Sequence, residues 1–391
     1  MAVKDNPKIY FWASFFGSIS FLVPVLTLFY LHRGLTLSDI LILFVIDVVF
    51  SLIFEVPTGT FADKYGHKAS LIVSQLIFIL SIVLLIFAFD KWMFYLIAAL
   101  VGISTTFHSG VKDALIYESL EEIGKKHTMS KVWGKITSAP QIALAIAVIF
   151  GAYIAKDLTE MQFIIVIVLG IVFSLVKLGL LFKLTTPKSH ELSRLIHPYE
   201  HLKEGFRFIR KSPYFLMAIG QMFIYIPFWA FREMAQPFLT NAGVAVMWFG
   251  LIYALSYLFV YFVLNKIEWF ENKFKTKTLI YSIAILNLVA FLAAAFLGNI
   301  LIVALIVFVA LFVLRRLRTP IMTQVANDYI TKSRSTVLSL FSGLDSLFDI
   351  MIIGTLAGLA TISLPIVFIG CAVFILIGLF FPVRLASEVK S

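Results

Sequence analysis

Residues 59–68 read Gly59-Thr60-Phe61-Ala62-Asp63-Lys64-Tyr65-Gly66-His67-Lys68, a short polar stretch joining apolar runs at 39–61 and 69–89. Each run is long enough to cross about 30 Å of hydrocarbon at about 1.5 Å per residue. The stretch therefore reads as a tight turn between two membrane helices. The alternation continues in both directions. Apolar runs at 10–31, 39–61, 69–89, 92–119, 136–155, 161–184, 213–239, 246–265, 278–297, 300–327, 335–359 and 363–383 give twelve spans. Lipid cannot satisfy an open backbone, so runs of this length are helices. The alternating segments of about ten residues that mark a membrane β-barrel are absent. The expected class is an all-α membrane protein.

Composition agrees. Hydrophobic residues make up 61% of the 391 residues and charged residues 14%, with 40 Phe. A soluble domain has roughly 45–50% apolar and about 25% charged residues. A soluble globular protein, a disordered chain and a disulfide scaffold are excluded. Cys371 is the single cysteine, so neither an internal disulfide nor a cysteine-based metal site is expected. The first run starts near Tyr10 without a small-residue cleavage site after it, and reads as a retained helix.

The 32 Lys+Arg against 22 Asp+Glu read as the cytoplasmic surplus of a membrane protein rather than a nucleic-acid surface. With the N-terminus inside, the outer loops hold only Arg33, Lys91 and Lys156, and the inner segments hold most of the remainder. This predicts a multi-pass protein of the cell membrane, bathed by its lipids, with both termini cytoplasmic. The longest polar stretch is 185–212. Within it Leu202, Phe206 and Ile209 share a helical face bordered by Lys203, Arg207, Arg210 and Lys211, as in a helix lying on the inner membrane surface. Six spans precede it and six follow. The expected organisation is a six-helix bundle at 1–184, a cytoplasmic linker at 185–212 and a second six-helix bundle at 213–391.

The 59–68 stretch resembles the signature loop of the major facilitator superfamily: Gly, three residues, Asp, a basic residue, any residue, Gly, then two basic residues. His67 stands where a second Arg or Lys is usual. Phe54–Gly59, Ser109-Gly110, Ala114–Leu120, Lys131–Lys135, Arg315–Pro320 and Ser335–Leu340 look like the same family. The resemblance implies two pseudo-symmetric six-helix bundles and a monomeric secondary transporter working by alternating access. It implies that Asp63 caps the eleventh span near Ser335, where exposed N–H groups favour an anion. Lys64 and Lys68 would reach acids at the inner end of the fourth span, Glu118 foremost. These ties would latch the inner side shut. Alternatively, the lysines obey only the positive-inside bias. Gly59 and Gly66 would permit close backbone approach and the sharp turn. Residues 271–277 (Glu-Asn-Lys-Phe-Lys-Thr-Lys) align with 62–68 as a worn copy of the motif, which supports internal duplication.

Ionisable groups at membrane depth cost roughly 2.5–3.5 kcal/mol on insertion scales, so each is a candidate site. The acids are Asp47, Glu55, Asp113, Glu118, Glu233, Asp345 and Asp349; the bases are Lys112, Lys177, Arg232, Arg315, Arg316 and Arg318. Mutual pairing is the competing structural reading for all of them. Asp47 lies roughly 12 Å into the second span and Asp345 roughly 15 Å into the eleventh, both near the midplane. Asp349 follows Asp345 by one turn on the same face. Two carboxylates so placed repel each other in a low dielectric, so one can carry a proton that transport exchanges. Hydrogen bonding to Ser or an embedded Arg is the alternative for these three.

The resemblance implies that spans 1, 4, 7 and 10 line a central cavity. Lys112, Asp113, Arg315 and Arg318 would then ring its inner mouth, or Asp113 and Glu118 would bridge to an arginine. Arg232 and Glu233 would serve an outer gate or snorkel to the interface. On the seventh span Gln221, Tyr225, Trp229, Arg232 and Gln236 share one face, which lipid would not tolerate. Tyr253, Tyr257 and Tyr261 form a stripe on the eighth. Aromatic walls with few polar groups suit a flat amphipathic ligand or a cation; helix packing is the alternative, preferred for the eighth span. Pro227 predicts a kink. His108 is expected to be a hydrogen-bonded helix histidine.

Neither a phosphate-binding GxxxxGK[ST], an HExxH, clustered His/Cys nor a GxSxG elbow occurs, so no cofactor, metal or enzymatic activity is expected. The expected function is proton-coupled efflux of small amphipathic, drug-like molecules. The alternatives are proton-coupled uptake or symport of a charged metabolite, with Lys112, Arg315 and Arg318 as anion clamps, and a lipid flippase or scramblase. The fifth span, with Pro140 early and Gly151 late, departs from the Gly-rich motif of the family's drug–proton antiporters.

Overall fold

The computed structural model describes residues 2–187, 213–329 and 334–385. The amphipathic segment expected around Leu202, Phe206 and Ile209 lies outside them. The described chain is helical: α1 Asn6–Gly17, α2 Leu26–His32, α3 Leu37–Tyr65, α4 His67–Phe87, α5 Lys91–His108, α6 Val111–Glu122, α7 Met129–Ile154, α8 Glu160–Phe182, α9 Pro213–Tyr225, α10 Pro227–Asn241, α11 Phe249–Leu264, α12 Ile267–Lys273, α13 Thr276–Leu297, α14 Leu301–Tyr329, α15 Arg334–Ala360 and α16 Leu364–Leu379. Among the described residues nine segments are long and apolar enough to cross a membrane, with shorter apolar helices at Val23–His32 and Leu364–Leu379. The predicted tenth span is α14, made less apolar by Arg315, Arg316 and Arg318.

Three expected spans are interrupted. The first breaks between Gly17 and Leu26, with a 3-10 turn at Val23–Val25. Pro24 sits in the first positions of that turn, where its missing N–H costs no helical hydrogen bond. The fourth breaks at Ser109-Gly110, where Gly110 adopts φ +72°. The seventh breaks at Ile226 ahead of Pro227. The 59–68 stretch is also not the loop expected. α3 runs through it to Tyr65, and the reversal is made by Gly66 alone, at φ 92° and ψ 155°. Only glycine takes that conformation without strain. Gly59 instead lies inside α3, and a Cβ there would meet no neighbouring atom, so it permits no close approach.

The chain forms two compact units. The first comprises residues 1–34, 46–196 and 246–251; the second comprises 35–45, 197–245 and 252–391. In the first, Ala13, Leu71, Leu115, Ile116, Ile136 and Leu181 form a buried cluster. Ser74 and Ser104 tie α4 to α5, each hydroxyl donating to the other's carbonyl, at 2.8 and 2.9 Å. Gln75 donates to the Ser174 carbonyl of α8 at 3.2 Å. Such bonds matter in lipid, where burial of apolar surface does not by itself bring helices together. Arg33, expected only as an outer-loop charge, is buried; it donates to the Ala88 carbonyl at 2.6 Å and pairs with Glu160.

In the second unit Met217, Ile280, Leu317, Ile321 and Val325 form one cluster. Phe231, Phe291, Phe308 and Phe368 meet edge-on or tilted in another, which accounts for part of the phenylalanine excess. Large apolar side chains also cover exposed surface, Phe87, Phe150, Phe296 and Ile302 among them, as a lipid-facing exterior requires.

Candidate functional site in the second unit

The seventh-span stripe is the spine of a charged aromatic cluster. The Ile226 break separates Gln221 and Tyr225 on α9 from Trp229 and Arg232 on α10. Arg315 and Arg318 face them from α14. The Arg318 guanidinium lies 4.2 Å over Tyr225 and its Nε donates to Gln221 Oε1 at 3.1 Å. Arg315 lies 4.1 Å over Trp229 and 5.2 Å from the Phe228 ring. Arg232 lies 4.6 Å from the same Trp229 ring, and Phe44 packs 6.1 Å from it. Trp229 thus serves two guanidinium groups, an arrangement worth about 0.5–2 kcal/mol per contact.

The acids complete the cluster. Tyr225 donates its hydroxyl to Asp345, and Arg315 and Arg318 are within electrostatic reach of that carboxylate. Asp349 is near Asp345, Arg315 and Arg232, and its Oδ1 is buried without a hydrogen-bond partner. Among the described residues, neither Arg315 nor Arg318 has a carboxylate within 4 Å. The expectation that embedded charges pair with each other holds for Arg232–Glu233, whose Nε–Oε1 distance is 2.9 Å, but not for these two arginines. Their close partners among the described residues are aromatic rings and an amide, with Asp345 further off.

The other residues singled out from the sequence lie in the first unit or at its helix ends. Asp47 sits where α3 crosses α5 closely: a Cβ on Gly102 would strike the Asp47 carbonyl, and Ser51 donates to Asp47 Oδ1 at 3.5 Å and to the Gly102 carbonyl at 3.2 Å. The Ser51 contact is the hydrogen bond to Ser that stood as the alternative to proton exchange for Asp47. Asp63 and Lys64 are exposed in the last turn of α3. The side chains at 334–336, which would flank the capped helix start, lie outside the described residues. Lys68 does not reach Glu118; it donates to the Phe182 carbonyl at 2.8 Å. Glu118 instead meets His67 Nε2 at 3.1 Å, so the residue that departs from the signature makes the contact. Lys112 and Asp113 belong to the first unit, Arg315 and Arg318 to the second.

The eighth-span tyrosines divide. Tyr253 is buried, hydrogen-bonded to Gln236 and edge-on to Phe308 at 5.0 Å, whereas Tyr261 faces outward. Tyr257 also packs edge-on, against Phe312 at 6.3 Å. His108 hydrogen-bonds to Tyr10, Oη to Nε2 2.9 Å.

Comparison with known families decides the assignment. The model of the Major Facilitator Superfamily matches residues 11–350. The chain belongs to the Major Facilitator Superfamily. Members are multi-pass membrane transporters, and the helices described above have that fold: an all-α membrane protein whose twelve spans match the family's two pseudo-symmetric six-helix bundles. Among solved structures, the nucleoside transporter NupG matches at TM-score 0.75 and 14% identity over 100% of both chains. A D-xylose–proton symporter matches at TM-score 0.69 and 15% identity, over 99% of this chain and 98% of that one. A bacterial homologue of the human lysosomal transporter Spinster, inward-facing and occupied, matches at TM-score 0.67 and 14% identity, over 97% and 95%. At these identities the superfamily likeness is one of fold. Comparison with curated protein sequences gave no match.

Proposed function

We propose that this superfamily member is a proton-coupled transporter that exports small amphipathic organic molecules by alternating access. It acts as a monomer with both termini in the cytoplasm. The observation that carries the substrate class is the wall of Tyr225 and Trp229 bearing Arg315 and Arg318 beside Asp345 and Asp349. Flat rings offer apolar contact to a planar ligand, and the guanidinium groups fix its polar end. Asp349 supports proton coupling, since a buried carboxylate oxygen without a donor is accommodated by taking a proton. One of the three structural neighbours above is described as a proton symporter. Export, rather than uptake, follows from the sequence resemblance alone. Asp63, Gly66, His67 and Glu118 make up the inner latch in this reading.

A second reading, proton-coupled uptake of a charged metabolite, is favoured by Arg315 having no carboxylate within 4 Å among the described residues. Proteoliposomes separate the two. Labelled planar organic cations and anions are offered under proton gradients of either direction. Export coupled by exchange predicts accumulation against an outward-to-inward proton flow; symport predicts accumulation along it. Accumulation unchanged when the gradient is collapsed would overturn proton coupling, and transfer of labelled lipid without any gradient would point to a flippase.

A further inference from the structure

The first unit holds a second charged cluster, built around a lysine on the sixth span. Lys177 lies on α8, about five residues or roughly 8 Å from the inner end of that helix. Its stem passes directly over Gly17, the last residue of α1: a Cβ on Gly17 would overlap Lys177 Cδ and lie 3.1 Å from Cε. The missing side chain is what lets the lysine cross α1. Beyond that crossing the amine comes within electrostatic reach of Lys112 and His108, from the broken fourth span. His108 is fixed by its bond to Tyr10.

The charge of this cluster does not balance. Among the described residues neither Lys112 nor Lys177 has a carboxylate within 4 Å. Asp113 is the one acid that acts on the group, and it is exposed. Two ammonium groups against one carboxylate leave one positive charge uncompensated in a low-dielectric setting, which costs several kcal/mol unless a partner is supplied. The three cluster residues are half-buried, beside an exposed break in the chain. Ser109, Gly110 and Asp113 are exposed at the break between α5 and α6.

We infer that Lys177, Lys112 and His108 form an anion subsite that takes the carboxylate or phosphate group of a small organic solute. Gly17 is its positioning residue. The inference rests on the transport reading only in making the anion part of a transported molecule. Binding is measured without transport, so the two can fail separately.

The test uses full-length protein in phosphatidylcholine nanodiscs. Thermal unfolding is followed with sodium benzoate or sodium phosphate, against sodium chloride at equal ionic strength. A saturable upward shift is expected for the unmodified protein. It should be absent in Lys177→Met, retained in Lys177→Arg, and lost in Gly17→Leu, which keeps both lysines but blocks the crossing. No shift in the unmodified protein, or an equal shift in Lys177→Met, overturns the subsite. A Lys177-dependent shift produced by added phosphatidylglycerol but not by the soluble anions would assign the site to a lipid headgroup and overturn the solute reading.

Discussion

The guanidinium of Arg315 lies 4.1 Å over the ring of Trp229, and among the described residues no carboxylate comes within 4 Å of it. In the proposed function this half-buried cation, held by an aromatic face instead of an acid, meets the polar end of the ligand. Removing the ring in Trp229→Ala should weaken substrate binding ~2- to 30-fold, the equivalent of about 0.5–2 kcal/mol. Arg315→Lys retains the charge but not the flat stacking, and should lose less. The measurement is KM in proteoliposomes; unchanged values in Trp229→Ala would remove the wall from the binding site.

Asp345 and Asp349 occupy different surroundings although one turn apart. Asp345 accepts from Tyr225, whereas Asp349 has a buried oxygen without a donor. Asp349→Asn should therefore abolish the response of transport to an imposed pH gradient. Tyr225→Phe, which removes only the donor to Asp345, should leave that response in place while lowering turnover. Gradient-driven accumulation by Asp349→Asn would clear this carboxylate of proton exchange.

The contact between His67 and Glu118 predicts that the signature acts through the histidine. His67→Ala leaves a half-buried Glu118 without this partner and should reduce turnover, while Lys68→Ala should have the smaller effect. Asp63→Asn should impair transport with expression largely intact. Transport rates normalised to purified protein check all three variants, and a Lys68 effect larger than that of His67 would reverse the assignment.

The two signature glycines should behave oppositely. Gly66→Ala forces a side chain into a positive-φ conformation and should cost about 1–2 kcal/mol, lowering the thermal midpoint. Gly59→Ala places a methyl in open space within a helix and should be neutral or stabilising by about 0.5–1 kcal/mol. Equal midpoints for the pair would contradict the helical course of residues 59–65.

Some of the site was readable in the chain and some was not. The stripe of Gln221, Tyr225, Trp229 and Arg232 follows from spacing alone, because residues three and four apart share a helical face. The spacing of Arg315 and Arg318 places both on one face of the tenth span in the same way. Lys177 was legible as a charge in lipid but not as a neighbour of Lys112, since sixty-four intervening positions separate them and the lysine stem reaches across α1 over Gly17. Arg33 read as a loop cation, and nothing local predicts its burial against the Ala88 carbonyl and Glu160.

Hydropathy along the chain determined that it spans a membrane and where the apolar helices fall. Those are properties of one helix and its solvent, so a linear sequence contains them. The tertiary structure decided the partners: Glu118 with His67 rather than Lys68, Arg318 with Gln221 and Tyr225, and the breaks that turn three expected spans into paired shorter helices. Periodicity gives the face a side chain occupies, whereas the group opposite it depends on which helix packs there and how closely. In this chain that closeness is set at single positions: at Gly102 the absence of a Cβ lets one helix approach another, and at Gly17 it lets the Lys177 side chain pass.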